Sequence, residues 1–377
     1  MRSLLVFIKA ILAVVTMVLV GCSGSSISRE SEEQAVAKLK ASGAIVLYGP
    51  GPNIHQPISE TPEPVGVPDD VVVDVSLLSP NTTSSDLLPL HSLSHLQDLF
   101  VTGSAVNDDA VLSILGVVNL QNLVLSNVSI SADGLRLLLY HKPLISLTLA
   151  GPWVSNEHIL VLAAHANVQA LGISDSDAND ANFSYIGNLN ELLALGIARC
   201  EGIGYQTLAS IGRLPELIEL SLGNVEIDAD SLEALCELKQ LVSLSLSGEF
   251  QTTDLSSLTA MTLLEDLRLI GLKADDDAMV ALANLPALMK VEIDASAVTD
   301  AGMASLAQST SITNLKLFAP QISLNGLRSL AKIRTLEQVI LDETGSLSSE
   351  DLEEFRQLRP DCQIRFGIFH PNGFLLR

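Results

Sequence analysis

Asp175, Asp177 and Asn179 alternate as the first oxygen ligands of a calcium loop do. Such a loop also needs a glycine at its sharp turn and a closing glutamate. Neither is present, so the three residues read as capping groups at a helix start. His91 and His95 lie four apart, and His141 and His165 recur at one repeat spacing. Either pair could meet, but no third ligand stands nearby and no metal site is expected. Cys200, Cys236 and Cys362 are widely spaced, without a Cys-x-x-Cys. They read as small buried hydrophobes, neither a disulfide framework nor a zinc site. Nucleophile elbows, phosphate-cradling glycine loops and zinc-protease helices do not occur. No catalytic centre and no cofactor are therefore expected.

The elements that position these residues repeat. Segments of the form Leu-x-x-Leu-x-Leu begin at Val72, Leu96, Leu120, Leu144, Val168, Leu192, Leu217, Leu241, Leu264, Leu288, Ile312 and Leu336. The step is 24 residues, with one of 25 and one of 23. Every first, fourth and sixth position is Leu, Ile or Val. A second apolar pair follows at helical spacing, as in Leu135/Leu138, Leu232/Leu235, Met279/Leu282 and Leu327/Leu330, so one face of a short helix is buried. Before it stands Asn107, Ser131, Ser155, Asn179, Asp228, Thr252, Asp275, Thr299 or Ser323, a type that caps helix starts. Acids such as Asp108, Asp133, Asp276 and Asp300 then suit the positive end of the helix dipole.

Each unit is thus a strand, a turn and a helix of about two turns. Parallel strands stack about 4.8 Å apart while helices need about 8–10 Å, so the stack must curve. The expectation is an α/β solenoid, a horseshoe of about twelve repeats with short parallel strands on the concave face and short helices on the convex face. Composition agrees: apolar residues make up 47% but aromatics only 4%, which suits many small identical layers.

The repeats resemble the leucine-rich-repeat superfamily. With helix starts such as Asp133-Gly134-Leu135 and Asp300-Ala301-Gly302-Met303, they are similar to bacterial 24-residue repeats of large envelope-protein families such as those of planctomycetes. The likeness covers Val72 to about Leu358. It departs at the ninth position, where an Asn or Cys ladder is usual and Ser104, Val128, Glu249 and Leu272 stand instead, with Cys200 the match.

The first residues carry a second resemblance. Arg2 and Lys9 precede an apolar run from Ala10 to Val20, the length of a signal h-region and short for a membrane span. The run ends in Leu19-Val20-Gly21-Cys22, which resembles the bacterial lipobox. That resemblance implies cleavage before Cys22, acylation of its sulfur and of the new amino terminus, and stable anchoring by two or more chains. Ser23 instead of Asp implies sorting to the outer membrane. The expected organisation is a signal peptide (1–21), a flexible tether (22–29), a cap helix and strand with a proline-rich loop (30–71), repeats (72–358) and a C-terminal cap and tail (359–377).

The formal charge of −23 repels phosphate backbones and anionic headgroups, which argues against nucleic acid as a partner. On the strand face, third, fifth and seventh positions are small in the middle repeats, including Ser146, Thr148, Ala150, Gly172 and Ser174. Towards the C-terminus they become Asp266, Arg268, Lys290, Glu292, Asp294, Lys316 and Phe318. Mixed charge beside an aromatic is the type of surface in which interface anchors are found; a solvated face with internal ion pairs is the other reading. Trp153, with Phe250 in the equivalent place, is a second contact candidate or a local packing residue. The function implied is a lipid-anchored envelope protein with a non-catalytic surface for a protein, or a glycan; the alternative is an envelope-structural scaffold without a discrete ligand.

Overall fold

The computed structural model describes residues 29–49, 71–318, 320–342 and 347–367. Leu19, Val20, Gly21 and Cys22, the tether as far as residue 28, the proline-rich segment 50–70 and the tail from 368 lie outside the described residues. The chain divides into two compact units at Gly202/Ile203.

In the first unit, helix Arg29–Ala41 leads to strand β1 (Ile45–Gly49), which pairs antiparallel with β2 (Val71–Leu77). Strands β3 (Asp98–Thr102), β4 (Asn122–Ser126), β5 (Ser146–Ala150), β6 (Ala170–Ser174) and β7 (Ala194–Ala198) then add in parallel, in chain order. The second unit is parallel throughout: β8 (Glu219–Ile227), β9 (Ser243–Phe250), β10 (Asp266–Ile270), β11 (Lys290–Asp294), β12 (Asn314–Phe318), β13 (Gln338–Asp342) and β14 (Gln363–Gly367). Register follows the sequence period, as in Ser146↔Ala170 and Glu292↔Lys316.

The aliphatic ladder is the core of both units. Every first, fourth and sixth position of the twelve segments is buried, none more than 3% exposed. A fully buried Leu contributes about 1.5–3 kcal/mol, but one coil alone exposes half of that ladder, so stability comes from stacking.

Helix starts are joined from coil to coil. Ser131, Asn179, Asp228, Asp275, Thr299 and Ser323 each cap their own helix by accepting a backbone N–H. Two expected caps act differently. Asn107 Oδ1 accepts Asp109 N–H ahead of helix Asp109–Leu115, whose N-cap is Asp108. Thr252 precedes no α-helix; its coil has the 3₁₀ turn Ser256–Ala260. An acid at the helix start of one coil also accepts both N–H and hydroxyl of the next coil's cap: Asp108 from Ser131 (2.8 and 2.7 Å), Asp276 from Thr299 (2.8 and 2.6 Å) and Asp300 from Ser323 (2.8 and 2.5 Å). A Cβ at Gly134, Gly302 or Gly326 would collide with that carboxylate. A glycine three residues after the cap (Ser131/Gly134, Thr299/Gly302, Ser323/Gly326) thus leaves room for the previous coil's acid.

Gly302→Ala should therefore cost about 1–2 kcal/mol of second-unit stability in urea unfolding, although Gly→Ala in an open helix gains about 1 kcal/mol. Adding Asp276→Ala should recover part of the loss. A purely additive pair of effects would remove the carboxylate from the explanation.

The turn after each strand is set at the eighth position. Asn127, Asp175 and Arg199 in the first unit and Asn224 in the second have φ between 51° and 64°, and Gly103, Gly151, Gly248 and Gly271 take the same column at positive φ. Only Gly, and less readily Asn or Asp, visits this region cheaply. Arg199 is the exception: its guanidinium grips Asp175 of the preceding coil through Nε and a terminal nitrogen, both at 2.7 Å. The ninth position serves the core where it is apolar, with Val128, Cys200, Val225 and Leu272 buried, whereas Ser104 and Glu249 are exposed. Buried Ser176 donates its hydroxyl to Val154 O at 2.6 Å and accepts Ala178 N–H.

Candidate functional site

The mixed-charge residues come together on β10–β12, one side-chain face of the second unit. Parallel register aligns Asp266 with Lys290, Arg268 with Glu292 and then Lys316, and Asp294 with Phe318. Glu292 is the centre: its carboxylate takes Lys316 Nζ at 2.8 Å and an Arg268 terminal nitrogen at 3.5 Å. Lys316 Nζ also lies 5.1 Å above the Phe318 ring, within cation–π range. Lys290 reaches Asp266 more loosely, at 3.9 Å. Asp294 serves its turn, accepting Ser296 N–H at 3.0 Å.

The electrostatics are those of a crowded, partly desolvated row. Burial holds the Asp266 carboxyl above its ordinary range against the opposing pull of Lys290. Burial, with Asp266 nearby, does the same to Glu219 on β8. Each carboxylate faces a cation or a like charge, and no nucleophile stands among them. This arrangement can exchange charge–charge contacts with a partner; it offers no acid–base pair aimed at a common atom.

The corresponding face of the first unit differs. Its third, fifth and seventh positions on β5 and β6 are small and, contrary to the sequence expectation of an open surface, buried. Asn122 Oδ1, buried on this face, has no hydrogen-bond partner. On β2 and β3, Asp74 and Asp98 align in register. Asp98 accepts Asn122 Nδ2 at 2.5 Å, and Asp74 accepts the Ser76 hydroxyl at 3.3 Å. Burial, reinforced by the neighbouring Asp98 charge, pushes the Asp74 carboxyl up to about 6. Sequence reasoning missed this pair, although both stand at the third position of adjacent coils, where it could have been found.

Trp153 is tied into its own coil. The indole N–H donates to Ala150 O at 2.9 Å, and the ring meets His158 edge-on, 5.2 Å between centroids. Buried His158 bonds Ile130 O through Nε2 at 3.0 Å and accepts Ser155 N–H at Nδ1; burial pushes its imidazole down, towards the neutral form. Phe250 ends β9, half-buried.

The remaining candidates have local partners. His91 bonds Leu88 O, His95 bonds the Ser94 hydroxyl at 3.0 Å, and His141 packs edge-on against Tyr140. Asp175 binds Arg199, which holds its carboxyl low, and Asn179 caps helix Asp180–Phe183. Among the described residues no group of three or more His, Cys, Asp or Glu could hold a metal ion. Cys200, Cys236 and Cys362 are free and buried, and burial pushes the Cys200 thiol up to about 11, far from a reactive thiolate.

No protein-family model matches the chain, and no curated protein is similar to it in sequence. Solved structures are similar in fold. A chain of the yeast Rad7 and Elc1 complex superposes with a TM-score of 0.52 at 16% identity, over 75% of this chain and 77% of that one. An internalin from Listeria monocytogenes gives 0.50 at 18% identity, over 77% and 86%. The 24-residue register, the buried aliphatic ladder and these two likenesses together give the chain an α/β leucine-rich-repeat solenoid fold.

Proposed function

We propose that this protein is a lipid-anchored envelope protein that holds a protein partner on the strand face of its second unit and performs no chemistry of its own. The observation that carries the binding reading is the ladder centred on Glu292. Its cations and carboxylates are half-desolvated, held in register by three strands, and set beside an aromatic ring. Exposed ion pairs contribute only about 0–1 kcal/mol to folding, so stability gives little reason for such a row. Binding gives a better one, because charges placed in advance set orientation and specificity at an interface. The Rad7 and Elc1 chains were solved as a complex, and that use of a similar fold supports the reading. The anchor rests on Leu19-Val20-Gly21-Cys22 and on the resemblance it carries.

Crosslinking in cells followed by mass spectrometry of what the mature protein captures tests the function. Arg268→Glu together with Lys316→Glu should lower recovery of the captured partner by about tenfold, one step of roughly 1.4 kcal/mol; the added carboxylates beside Glu292 lower the melting temperature, and far-ultraviolet circular dichroism should show the repeats still folded. Unchanged capture removes the ladder as the contact surface. Cys22→Ala should abolish acyl mass and membrane retention; retention of both would remove the anchor.

A further inference from the structure

The seventeenth position of most coils lies in the helical or 3₁₀ segment and faces away from the core. In the second unit this column starts at Leu208, which the one-residue-longer coil turns into the core, and runs on through Glu233, Ser257, exposed Val280, Ala304, Arg328 and half-buried Leu352. In the first unit it holds Leu88, Leu112 and Leu160, all exposed, with Leu112 70% open to solvent. Arg136 stands between the last two, paired with Asp133 of its own helix, and Ser184 follows. Leu137 and Tyr140 extend the apolar surface on Arg136's helix, Tyr140 being 76% exposed. Scattered exposed leucines need no explanation, but three exposed leucines in five positions of one column in the first unit, against Val280 as the exposed large apolar residue of that column in the second, do.

The position of this column relative to the start of the chain selects its occupant. The cap helix Arg29–Ala41 packs against the 3₁₀ helix Ser84–Ser92, which carries Leu88, and Ser42 just after it donates its hydroxyl to Asp86 at 2.8 Å. The chain from Cys22 to Arg29 reaches at most about 24 Å. An acyl group on Cys22 would therefore keep the first unit beside the bilayer. The net charge of −23 opposes an anionic surface, and the column itself is uncharged apart from the paired Arg136. Its chemistry fits a neutral headgroup layer, where leucine and tyrosine side chains enter the boundary with the acyl chains.

We infer that Leu88, Leu112, Leu137, Tyr140 and Leu160 form a membrane-facing surface that seats the first unit against an electrically neutral bilayer, leaving that unit's own strand face clear of it. This rests on the anchor proposed above. Seating fixes orientation, which attachment through Cys22 alone does not.

The test uses the acylated mature protein in phosphatidylcholine vesicles, with a nitroxide attached through Leu112→Cys or, as control, Val280→Cys. Cys200, Cys236 and Cys362 are buried, so the new thiol takes the label, and emission from Trp153 checks that the first unit is folded. The label at 112 should collide several-fold more often with oxygen dissolved in lipid, and several-fold less often with an aqueous nickel complex, than the label at 280. Tyr140→Glu with Leu160→Glu should reverse that preference without releasing the protein from the vesicles. If the protein floats with the vesicles while both labels meet the aqueous reagent equally, the surface is wrong and the anchor stands. Absence of acyl mass and of flotation sinks both. Protection at 112 that needs no vesicles and grows with protein concentration identifies a second copy as the occupant and overturns the proposal.

Discussion

Asp74→Asn should stabilise the first unit by about 2–3 kcal/mol at pH 7.5 and by almost nothing near pH 4. In the folded protein the Asp74 carboxyl titrates at about 6, against 3.8 for an ordinary aspartate, because burial and the aligned Asp98 charge disfavour ionisation. Each pH unit between those two values is worth about 1.4 kcal/mol against the charged form. The sign follows from proton linkage. Below pH 3.8 the residue is protonated whether the chain is folded or not, and it carries no penalty. Between 3.8 and 6 the unfolded chain has released its proton while the folded one holds it, so stability falls as pH rises. Above 6 the full penalty applies and no longer changes. An asparagine is neutral throughout and its amide can donate to Asp98. Urea unfolding followed at Trp153 measures the difference between the two proteins. That difference isolates Asp74 from groups of opposite sign, such as Asp175 and Asp86, whose carboxyls are held below the ordinary range and whose contribution is lost on acidification. Equal stability of the two proteins at pH 7.5 would contradict the account.

The repeat was legible because its cause is periodic. A residue such as Leu220 or Ile293 is buried by the same neighbours in every coil, so the pattern of aliphatic positions reports the burial directly. Helix starts were legible for the same reason: Ser131, Thr299 and Ser323 cap because short polar side chains satisfy the first free N–H groups of a helix. The coil at Thr252 broke the rule: Leu255 and Leu258 supply the buried pair, but this is the coil with the short 23-residue step, and its segment is a 3₁₀ turn. The bonds from Asp108, Asp276 and Asp300 to the next coil's cap were not legible. They depend on distance across the stack, which one coil's sequence does not contain.

The strand face shows the same limit more sharply. Its residues could be named from position alone, since odd strand positions oppose the core. Which of them touch could not, because Glu292 chooses between Arg268, Lys290 and Lys316 by side-chain reach. Register made the sorting predictable only to the level of a row. Two neighbouring acids, as at Asp74 and Asp98, look like two solvated charges until burial makes them compete for a proton. Left-handed turns were half legible: Gly, Asn and Asp recur at the eighth position, but Arg199 gives no such hint, and its pairing with Asp175 across one repeat is what holds it there.

Arg359→Met should cost the second unit about 3 kcal/mol, with Arg359→Lys costing about half as much, on the scale of buried polar groups left unsatisfied. Elsewhere in the stack a side chain of one coil bonds a turn carbonyl of the coil before it, as Lys142 does to Val117 O, Asn119 to Ser94 O and Thr335 to Ile312 O. In the final turn, Arg359 does this for several carbonyls together. It is 8% exposed and donates to Ile333 O, to Leu336 O at 2.7 Å and to Arg334 O at 3.3 Å, while Asp361 accepts at 3.0 and 2.9 Å. Methionine fills similar volume but leaves Leu336 O and Arg334 O without the guanidinium donor and Ile333 O with the Leu336 N–H alone, and an unsatisfied buried polar group costs about 1–3 kcal/mol. Lysine keeps a charge but not the planar fork that serves several acceptors together. Asp361→Ala should cost least of the three, because that carboxylate is largely in water and its ion pair is screened. Urea unfolding followed by far-ultraviolet circular dichroism reads all three. The order Met, then Lys, then Asp361→Ala is the expected ranking, and a larger loss from Asp361→Ala than from Arg359→Met would show that the ion pair, and not the carbonyls, is what closes the stack. Loss of the end coil exposes the ladder residues Val339 and Leu341 beneath it, so fraying there should spread inward along β13 and β12, as nearest-neighbour coupling in a repeat stack requires.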